Sequence, residues 1–274
     1  MAGALISVDM EGVAGVVHGD HTRRDGVDYG LARALMTAEA NAAIEGALAS
    51  GADQVVVNDA HGTMRNLLPA ELHQKADVVT GSPKPLVMME GVDVPGVAAV
   101  MCGGYHARAG TRGVLDHTIN SRVVREVRIN GEPASEFDLS AGIAGAYNIP
   151  VVMIAGDDVT VAQAKERVPG IEVAMVKRAI HRTAARHLSP EASCTLIKIA
   201  ARNGFQRREL IEPFTYPSPV TVSVTWQSSG MTDAVAFMPR VERVDAVISE
   251  YRCDDFLEAF QALTAMVMLA GTVR

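Results

Sequence analysis

The segment "ALISVDMEGVAG", residues 4–15, joins a short apolar run to two carboxylates, Asp9 and Glu11. An apolar run of this length is typical of a buried strand. Residues two apart in an extended chain point to the same side, so Asp9 and Glu11 would bring two like charges to one place. That arrangement is costly unless a cation lies between them. The pattern therefore indicates a metal site, although a capped loop with two exposed carboxylates would have the same sequence pattern.

Three later segments repeat this pattern of an apolar run that ends in polar residues: "DQVVVNDAHG" (53–62), "GVAAVMCGGYHARAG" (96–110) and "VVMIAGDD" (151–158). Between the first two strands, a helical stripe over Leu31–Ser50 ends at Gly51. The alternation predicts an α/β fold with a largely parallel sheet flanked by helices. In such sheets ligands bind beyond the carboxyl ends of the strands, where these polar residues lie.

The remaining elements predict a second α/β lobe packed against the first. Asn130-Gly131 indicates a hairpin turn, and a helix is expected from Glu136 to Tyr147. The stretch "SPVTVSVTWQ" is typical of a strand, and "DDFLEAFQALTAMVMLAG" of an amphipathic helix. We expect a catalytic metal-binding lobe over residues 1–165 and a C-terminal lobe over 166–274, with a soft boundary that also allows one compact unit.

Composition excludes several classes of protein. The chain has 274 residues, of which 48% are hydrophobic and 21% charged, as in ordinary globular proteins. A formal charge of -7 and 4% aromatic residues argue against a nucleic-acid partner. The first residues lack a basic signal region and no apolar run is long enough to span a bilayer, so we expect no membrane association. Three cysteines without CxxC spacing favour reduced thiols and a cytoplasmic location.

Six residues near the predicted strand ends form a candidate catalytic set of carboxylates and imidazoles without a thiolate: Asp9, Glu11, His61, His106, His117 and Glu136. This mixture suits Zn²⁺ or a similar divalent ion in a catalytic site. Taken singly, the histidines could be ordinary loop residues, and Glu136 could simply favour a helix N-terminus. The two glycines before His106 allow a close backbone approach, which makes that segment more suggestive.

The chain resembles the zinc-dependent D-aminopeptidases associated with bacterial dipeptide-transport operons. The matching stretches span most of residues 6–158 in the family's order: "SVDMEGVAG", "VVVNDAHG", "TGSPKPLVMMEG", "GYHARAG", "GVLDHTI", "NGEPASEFDLSAGIAG" and "VVMIAGDD". The later part of the chain matches mainly through "MVKRAIHRTAA" and "FLEAFQAL". One such motif would be weak, whereas their ordered succession is specific.

The resemblance implies two Zn²⁺ per chain, short peptide substrates and a role for each matching residue. Asp9 matches the carboxylate that bridges the ions, Glu11 and His61 match the ligands of one ion, and His106 and Glu136 those of the other. His117 matches a histidine proposed as nucleophile or general base. The family also implies closed homo-oligomers, with a ring-stacked decamer as the expected form.

Two other functions compete with a metallo-aminopeptidase. Paired metals also serve amidases and phosphoesterases, although the chain lacks a glycine-rich phosphate loop. A non-catalytic peptide-binding protein linked to dipeptide transport is the second alternative. Three further residues have open roles: Asp157 and Asp158 either orient a histidine ligand or are solvated loop carboxylates, and Lys84 is expected near the substrate.

Overall fold

A computed structural model describes residues 2–273 and contains two β-sheets. The twelve strands are β1 (Gly3–Val8), β2 (Gln54–Asp59), β3 (Ala76–Val79), β4 (Val97–Tyr105), β5 (Val124–Ile129), β6 (Glu132–Pro133), β7 (Val151–Asp157), β8 (Glu172–His181), β9 (Ala184–His187), β10 (Val220–Trp226), β11 (Val241–Asp245) and β12 (Ile248–Cys253). The seven α-helices are α1 (Gly19–Thr22), α2 (Tyr29–Ala49), α3 (Glu136–Ala146), α4 (Asp158–Arg167), α5 (Pro190–Gln206), α6 (Ser229–Val235) and α7 (Phe256–Ala270).

The larger sheet has seven strands in the order β3-β2-β1-β4-β7-β8-β9. All neighbours pair in parallel except β8 and β9, which form an antiparallel hairpin. The strands β1, β2, β4 and β7 correspond to the four apolar runs, and they are adjacent in the sheet. The chain leaves β1 toward β2 on one side and returns to β4 on the other, so a topological switch point lies between β1 and β4.

The smaller sheet is antiparallel, in the order β11-β12-β10-β5-β6. The hairpin at Asn130-Gly131 is confirmed, since β5 and β6 pair across it. Helix α7 packs on β10 and β12, and α2 and α5 pack on each other and on the larger sheet. Helix α3 contacts β4 of the larger sheet and also α7, which packs on the smaller sheet. It therefore connects the two sheets. The predicted fold class, a largely parallel α/β sheet with a second lobe, is confirmed.

The expected boundary near residue 165 does not coincide with the division between the sheets. Strands β8 and β9 follow that position but complete the larger sheet, whereas β5 and β6 precede it but belong to the smaller one. The reason is topological, because β8 is the parallel neighbour of β7. Sequence order alone could not show this crossover between the two sheets.

Smaller differences from the sequence prediction concern the segment before α2. The single-turn helix α1 precedes α2, and α2 begins at Tyr29 rather than at the predicted Leu31. The side chain of His18 caps α1 by accepting a hydrogen bond from the Asp20 amide. Cys102, Cys194 and Cys253 are free thiols. In the part of the chain that the structure describes, no helix combines the length and apolar character needed to cross a bilayer.

Candidate metal centre

The register of the sheet brings the candidate residues together. Val8 at the end of β1 lies beside Asp59 of β2 and Gly103 of β4, so these three strands end at the same level. The next few residues of each strand reach the same edge of the sheet, where they supply Asp9 and Glu11, His61, and His106. Strand β1 lies between β2 and β4. The two carboxylates that follow it, Asp9 and Glu11, therefore lie between the histidines that follow the two neighbouring strands.

A close backbone approach at Gly104 holds β4 against the segment after β1. Gly104 has φ +66°, and a Cβ built on it would lie 2.1 Å from the carbonyl oxygen of Asp9. The amide of Gly12 donates to the Gly104 carbonyl oxygen at 2.7 Å, and a Cβ on Gly12 would also collide with the backbone of Tyr105. The close approach expected from the glycine pair is thus made by Gly104, and it fixes the position of Asp9.

The Asp9 carboxylate lies between two histidines. Its Oδ1 is 3.2 Å from Nδ1 of His61, and its Oδ2 is 3.4 Å from Nε2 of His106. On the first side, Nδ1 of His61 also lies 2.9 Å from Oε2 of Glu11. On the second side, Nε2 of His106 lies 3.2 Å from Oε1 of Glu136. All five of these residues are buried, so the cluster is shielded from bulk water.

The structure contains two groups of potential ligand atoms, each with all its atoms within 4.8 Å of one another. One group consists of Asp9, Glu11 and His61, and the other of His106, His117 and Glu136. Oε2 of Glu11 and Nε2 of His106 are buried and, despite the short distances given above, neither makes a well-aligned hydrogen bond within residues 2–273. Unpartnered buried carboxylate and imidazole atoms are costly, and a divalent cation would satisfy both of them.

Each histidine of the site uses one ring nitrogen to hold its ring in place. Nε2 of His61 donates to the Thr22 carbonyl oxygen at 2.9 Å, and Nδ1 of His106 donates to the Ala107 carbonyl oxygen at 3.1 Å. Nδ1 of His117 donates in the same way to the Leu115 carbonyl oxygen at 2.9 Å. The other nitrogen of each ring is thereby left facing the cluster, as is usual for histidines that bind metals.

His117 is placed differently from the two other histidines. Its ring stacks on that of His106, with 4.0 Å between ring centroids and 8° between ring planes. Its Nε2 lies 3.7 Å from Oε1 of Glu136. Burial, followed by the neighbouring His106, lowers the pKa of His117, which keeps its ring neutral near pH 7. A neutral ring with a free Nε2 can accept a proton.

The charged groups of the cluster shift one another's pKa values. Burial alone would lower the pKa of His106, but the Glu136 and Asp9 carboxylates raise it to about 10. Burial and the Glu11 charge raise the pKa of Asp9 to about 7. Burial works against ionisation of Glu11, yet the His61 charge holds the pKa of Glu11 well below its usual value. Without a metal, protons on the histidines therefore compensate the carboxylates.

Glu136 is the first residue of α3, as the sequence predicts. Ser135 caps this helix, since its hydroxyl accepts from the Asp138 amide and its own amide donates to the Asp138 carboxylate. The cap fixes the direction of the first turn, from which the Glu136 side chain reaches back to the cluster. Oε1 of Glu136 accepts a hydrogen bond from the Ile119 amide at 2.6 Å. This contact links Glu136 to the segment that carries His117.

Asp157 and Asp158 form no hydrogen bond or ion pair with a histidine of the site within residues 2–273, so the direct orienting role expected for them is corrected. The Asp157 carboxylate caps α4 through Thr160 and accepts from the Val114 amide at 2.6 Å. It therefore fixes the backbone three residues before His117. Asp158 accepts from the Ala179 amide of β8. Neither residue is a freely solvated loop carboxylate.

Sequence reasoning missed the contributions of later parts of the chain. Lys177 of β8 is buried, and its Nζ donates to the carbonyl oxygens of Glu11, Val13 and Val16. A cavity of about 220 Å³ adjoins the cluster, and α7 supplies part of its apolar wall through Phe260, Thr264, Val267 and Met268. The internal lysine in "AMVKRAIH" was the one available indication, because lysine is unusual within an apolar strand.

This fold and donor set define an α/β protein with a candidate catalytic metal centre at the switch point of its parallel sheet. The chain belongs to the M55 peptidase family, described as D-aminopeptidase, whose family model matches residues 3–265. A D-aminopeptidase of Bacillus subtilis (strain 168) is 36% identical over 266 residues, which cover 97% of this chain and 96% of that protein.

A solved structure extends the likeness to three dimensions. The Zn-dependent D-aminopeptidase DppA from Bacillus subtilis, described as a self-compartmentalizing protease, matches with a TM-score of 0.94. The two chains are 36% identical, and the match covers 97% of each. The family resemblance stated from the sequence motifs is therefore confirmed.

Proposed function

We propose that this protein is a zinc-dependent aminopeptidase that hydrolyses the N-terminal peptide bond of short peptides beginning with a D-residue. The observation that carries this proposal is the Asp9 carboxylate, which belongs to one group of potential ligand atoms and lies 3.4 Å from His106 of the other, at one cavity. Membership of the D-aminopeptidase family supports the reaction and the D-preference. The Zn dependence of the similar Bacillus subtilis enzyme supports the choice of metal.

The donor set suits two zinc ions per chain. We assign Glu11 and His61 to one ion and His106 and Glu136 to the other, with Asp9 shared between them. Oxygen and imidazole ligands without thiolates are typical of catalytic zinc sites. Three carboxylates and two neutral imidazoles carry a charge of about −3, which two divalent ions more than compensate. The backbone carbonyls that hold the histidines would keep both rings aimed at the ions.

Zinc bound here would act as a Lewis acid that polarises the scissile carbonyl and stabilises negative charge on its oxygen. We assign His117 as the general base, because its Nδ1 is occupied by the Leu115 carbonyl and its Nε2 is free to take a proton. His117 would accept the proton of the attacking water and return a proton to the leaving amine. The buried walls of the cavity exclude bulk water and strengthen these electrostatic effects.

Metal analysis combined with a substrate panel tests this proposal. We expect about two zinc ions per chain, turnover of D-alanyl dipeptides, and much slower turnover of their L-isomers and of phosphoesters. His61→Ala and His106→Ala should lose metal and nearly all activity, whereas His187→Ala, a substitution of an exposed histidine in β9, should retain both. Faster turnover of phosphoesters or other amides, or peptide binding without turnover, would contradict the proposal and support one of the two alternatives.

We propose that the protein works as a homo-oligomer, with a ring-stacked decamer as the expected form. The support is its similarity to an enzyme described as self-compartmentalizing. Light scattering coupled to size-exclusion chromatography measures the number of subunits, and a monomer of 29.0 kDa would contradict the proposal. The cytoplasmic location stays a prediction, which fractionation of cells that express the protein can check.

A further inference from the structure

Lys84 lies at the wall of the cavity that contains several of the candidate metal ligands. The cavity is lined by Asp9, Glu11 and His61 as well as by Lys84. Much of the remaining wall is apolar, with side chains such as Val87, Met88 and Phe260. Lys84 is thus the one lysine among the described residues that line this small pocket. The other walls of this pocket are the candidate ligands and apolar side chains.

The ammonium group of Lys84 is held rigidly. Its Nζ donates to Oδ1 of Asn58 at 2.5 Å and to the carbonyl oxygen of Asp59 at 2.7 Å. The Asn58 amide group is itself fixed, because it donates to the carbonyl oxygens of Val87 and Met88. Both acceptors of the ammonium are neutral, and they use two of its three protons. A preorganised donor remains for a further acceptor.

No carboxylate of the described residues forms an ion pair with Lys84. The acidic groups whose charges raise the pKa of Lys84 are Asp59 and Glu90, but both accept hydrogen bonds from other groups. The Asp59 carboxylate accepts from Asn66 and Leu67, and Glu90 accepts from the Leu86 amide. Burial lowers the pKa of Lys84 to about 8, so the side chain is still mostly charged at pH 7. A largely buried cation without a counter-ion is costly, and an anion in the cavity would offset that cost.

We propose that Lys84 binds the α-carboxylate of the residue after the scissile bond, so that the preferred substrates are dipeptides with a free C-terminus. This inference deepens the proposed function and rests on it. The free amino group of the substrate would be repelled by Lys84, which leaves the carboxylate as the complementary end. The cavity volume of about 220 Å³ is below the ~300–1,000 Å³ of drug-sized ligand sites, which favours a short peptide.

The kinetic consequence is an effect on binding rather than on chemistry. An ammonium–carboxylate hydrogen bond made equally in the ground state and the transition state changes KM and leaves kcat nearly unchanged. Loss of one charge-assisted hydrogen bond in a partly dry site weakens binding by roughly 10- to 100-fold. Removal of the Lys84 ammonium should leave the binding of a substrate without this carboxylate unchanged.

The test compares D-Ala-D-Ala with its C-terminal carboxamide for the wild type, Lys84→Met and Lys75→Met, the last being an exposed control. For the wild type we expect KM to be about 10- to 100-fold lower for the free acid than for the carboxamide. In Lys84→Met this preference should disappear through a higher KM for the free acid, with kcat and the carboxamide parameters retained. Lys75→Met should behave as the wild type.

Three outcomes would overturn the assignment. Equal loss of kcat on both substrates in Lys84→Met would mean that the lysine acts at the reaction centre or supports the structure. An unchanged preference in that variant would mean that another group binds the carboxylate. A wild type that lacks the preference would refute the assignment even if Lys84→Met failed to fold. A wild type that cleaves neither substrate would instead refute the proposed aminopeptidase activity on which this inference rests.

Discussion

Replacement of Lys177 by methionine tests whether β8 controls the metal centre through the segment after β1. The Lys177 ammonium donates to three carbonyl oxygens, those of Glu11, Val13 and Val16, at 2.5, 3.0 and 2.6 Å. It therefore holds the backbone of Glu11 in place while the Glu11 carboxylate faces His61. Lys177→Met keeps a long unbranched side chain but removes all three hydrogen bonds.

The expected change in the free energy of unfolding is the cost of leaving carbonyl oxygens without a partner minus the cost of burying the Lys177 charge. The Val13 carbonyl keeps the Val16 amide as a partner, so two carbonyls are orphaned at about 1–3 kcal/mol each, or ~2–6 kcal/mol in sum. On the other side, burial lowers the pKa of Lys177 from 10.5 to about 8, so its charge costs the native wild type roughly 3 kcal/mol at pH 7. Methionine avoids that cost, so the net change lies between ~1 kcal/mol of stabilisation and ~3 kcal/mol of destabilisation.

The expected change in metal binding, unlike the net change in stability, has a single direction. Loss of a group that orients a metal ligand typically lowers metal affinity by about 10- to 100-fold. The assay is zinc titration against a competing chelator, together with thermal unfolding of the metal-free protein. Lys165→Met, a substitution of an exposed lysine on α4, is the control and should match the wild type. Wild-type zinc affinity in Lys177→Met would refute the reasoning, whatever its thermal stability.

Three further predictions concern the cluster itself. His117→Ala should retain two zinc ions while kcat falls by about 10²- to 10⁴-fold, whereas loss of one ion would show that His117 is a ligand. Because the folded-state pKa of His106 is raised from 6.5 to about 10, its contribution to stability is complete below pH 6.5 and is lost as the pH rises toward 10. The melting temperature of metal-free protein should therefore fall over that range, and a flat or rising profile would contradict the charge assignment. Gly104→Ala should lower zinc content and stability, since its Cβ would lie 2.1 Å from the Asp9 carbonyl oxygen, while Gly30→Ala, in open space on α2, should change neither.

The larger sheet could be predicted from the sequence because the patterns that indicate its strands are local. Apolar runs of four to eight residues that end in polar groups indicate buried parallel strands, and four such runs became the adjacent strands β2, β1, β4 and β7. The hairpin at Asn130-Gly131 and the helices α2, α3 and α7 also follow from local turn chemistry and periodicity. The short helix α1 was missed, since four residues carry no periodic signal.

The candidate ligands were harder to predict because each of them has an ordinary alternative. Neither Asp9 nor His61 is distinctive alone, and no local rule states that residues 52 positions apart share one edge of a sheet. The ordered family motifs resolved that ambiguity for the fold and the family. The supporting groups had no motif to indicate them. Lys177 reaches Glu11 across 166 positions, and burial of its charge is visible only in three dimensions.

The later part of the chain completes the candidate site, although it supplies none of the five assigned ligands. Strand β8 holds the Glu11 segment through Lys177, and the hairpin of β8 and β9 meets the His117 segment where the Leu115 amide donates to the Arg182 carbonyl oxygen. Helix α7 adds the apolar wall of the cavity. The candidate ligands come from the carboxyl ends of β1, β2 and β4 and from the start of α3, so their positions depend on the sheet that β8 extends. A lobe that ended near residue 165 would carry all the ligands but would lack the lysine and the helix that constrain their surroundings.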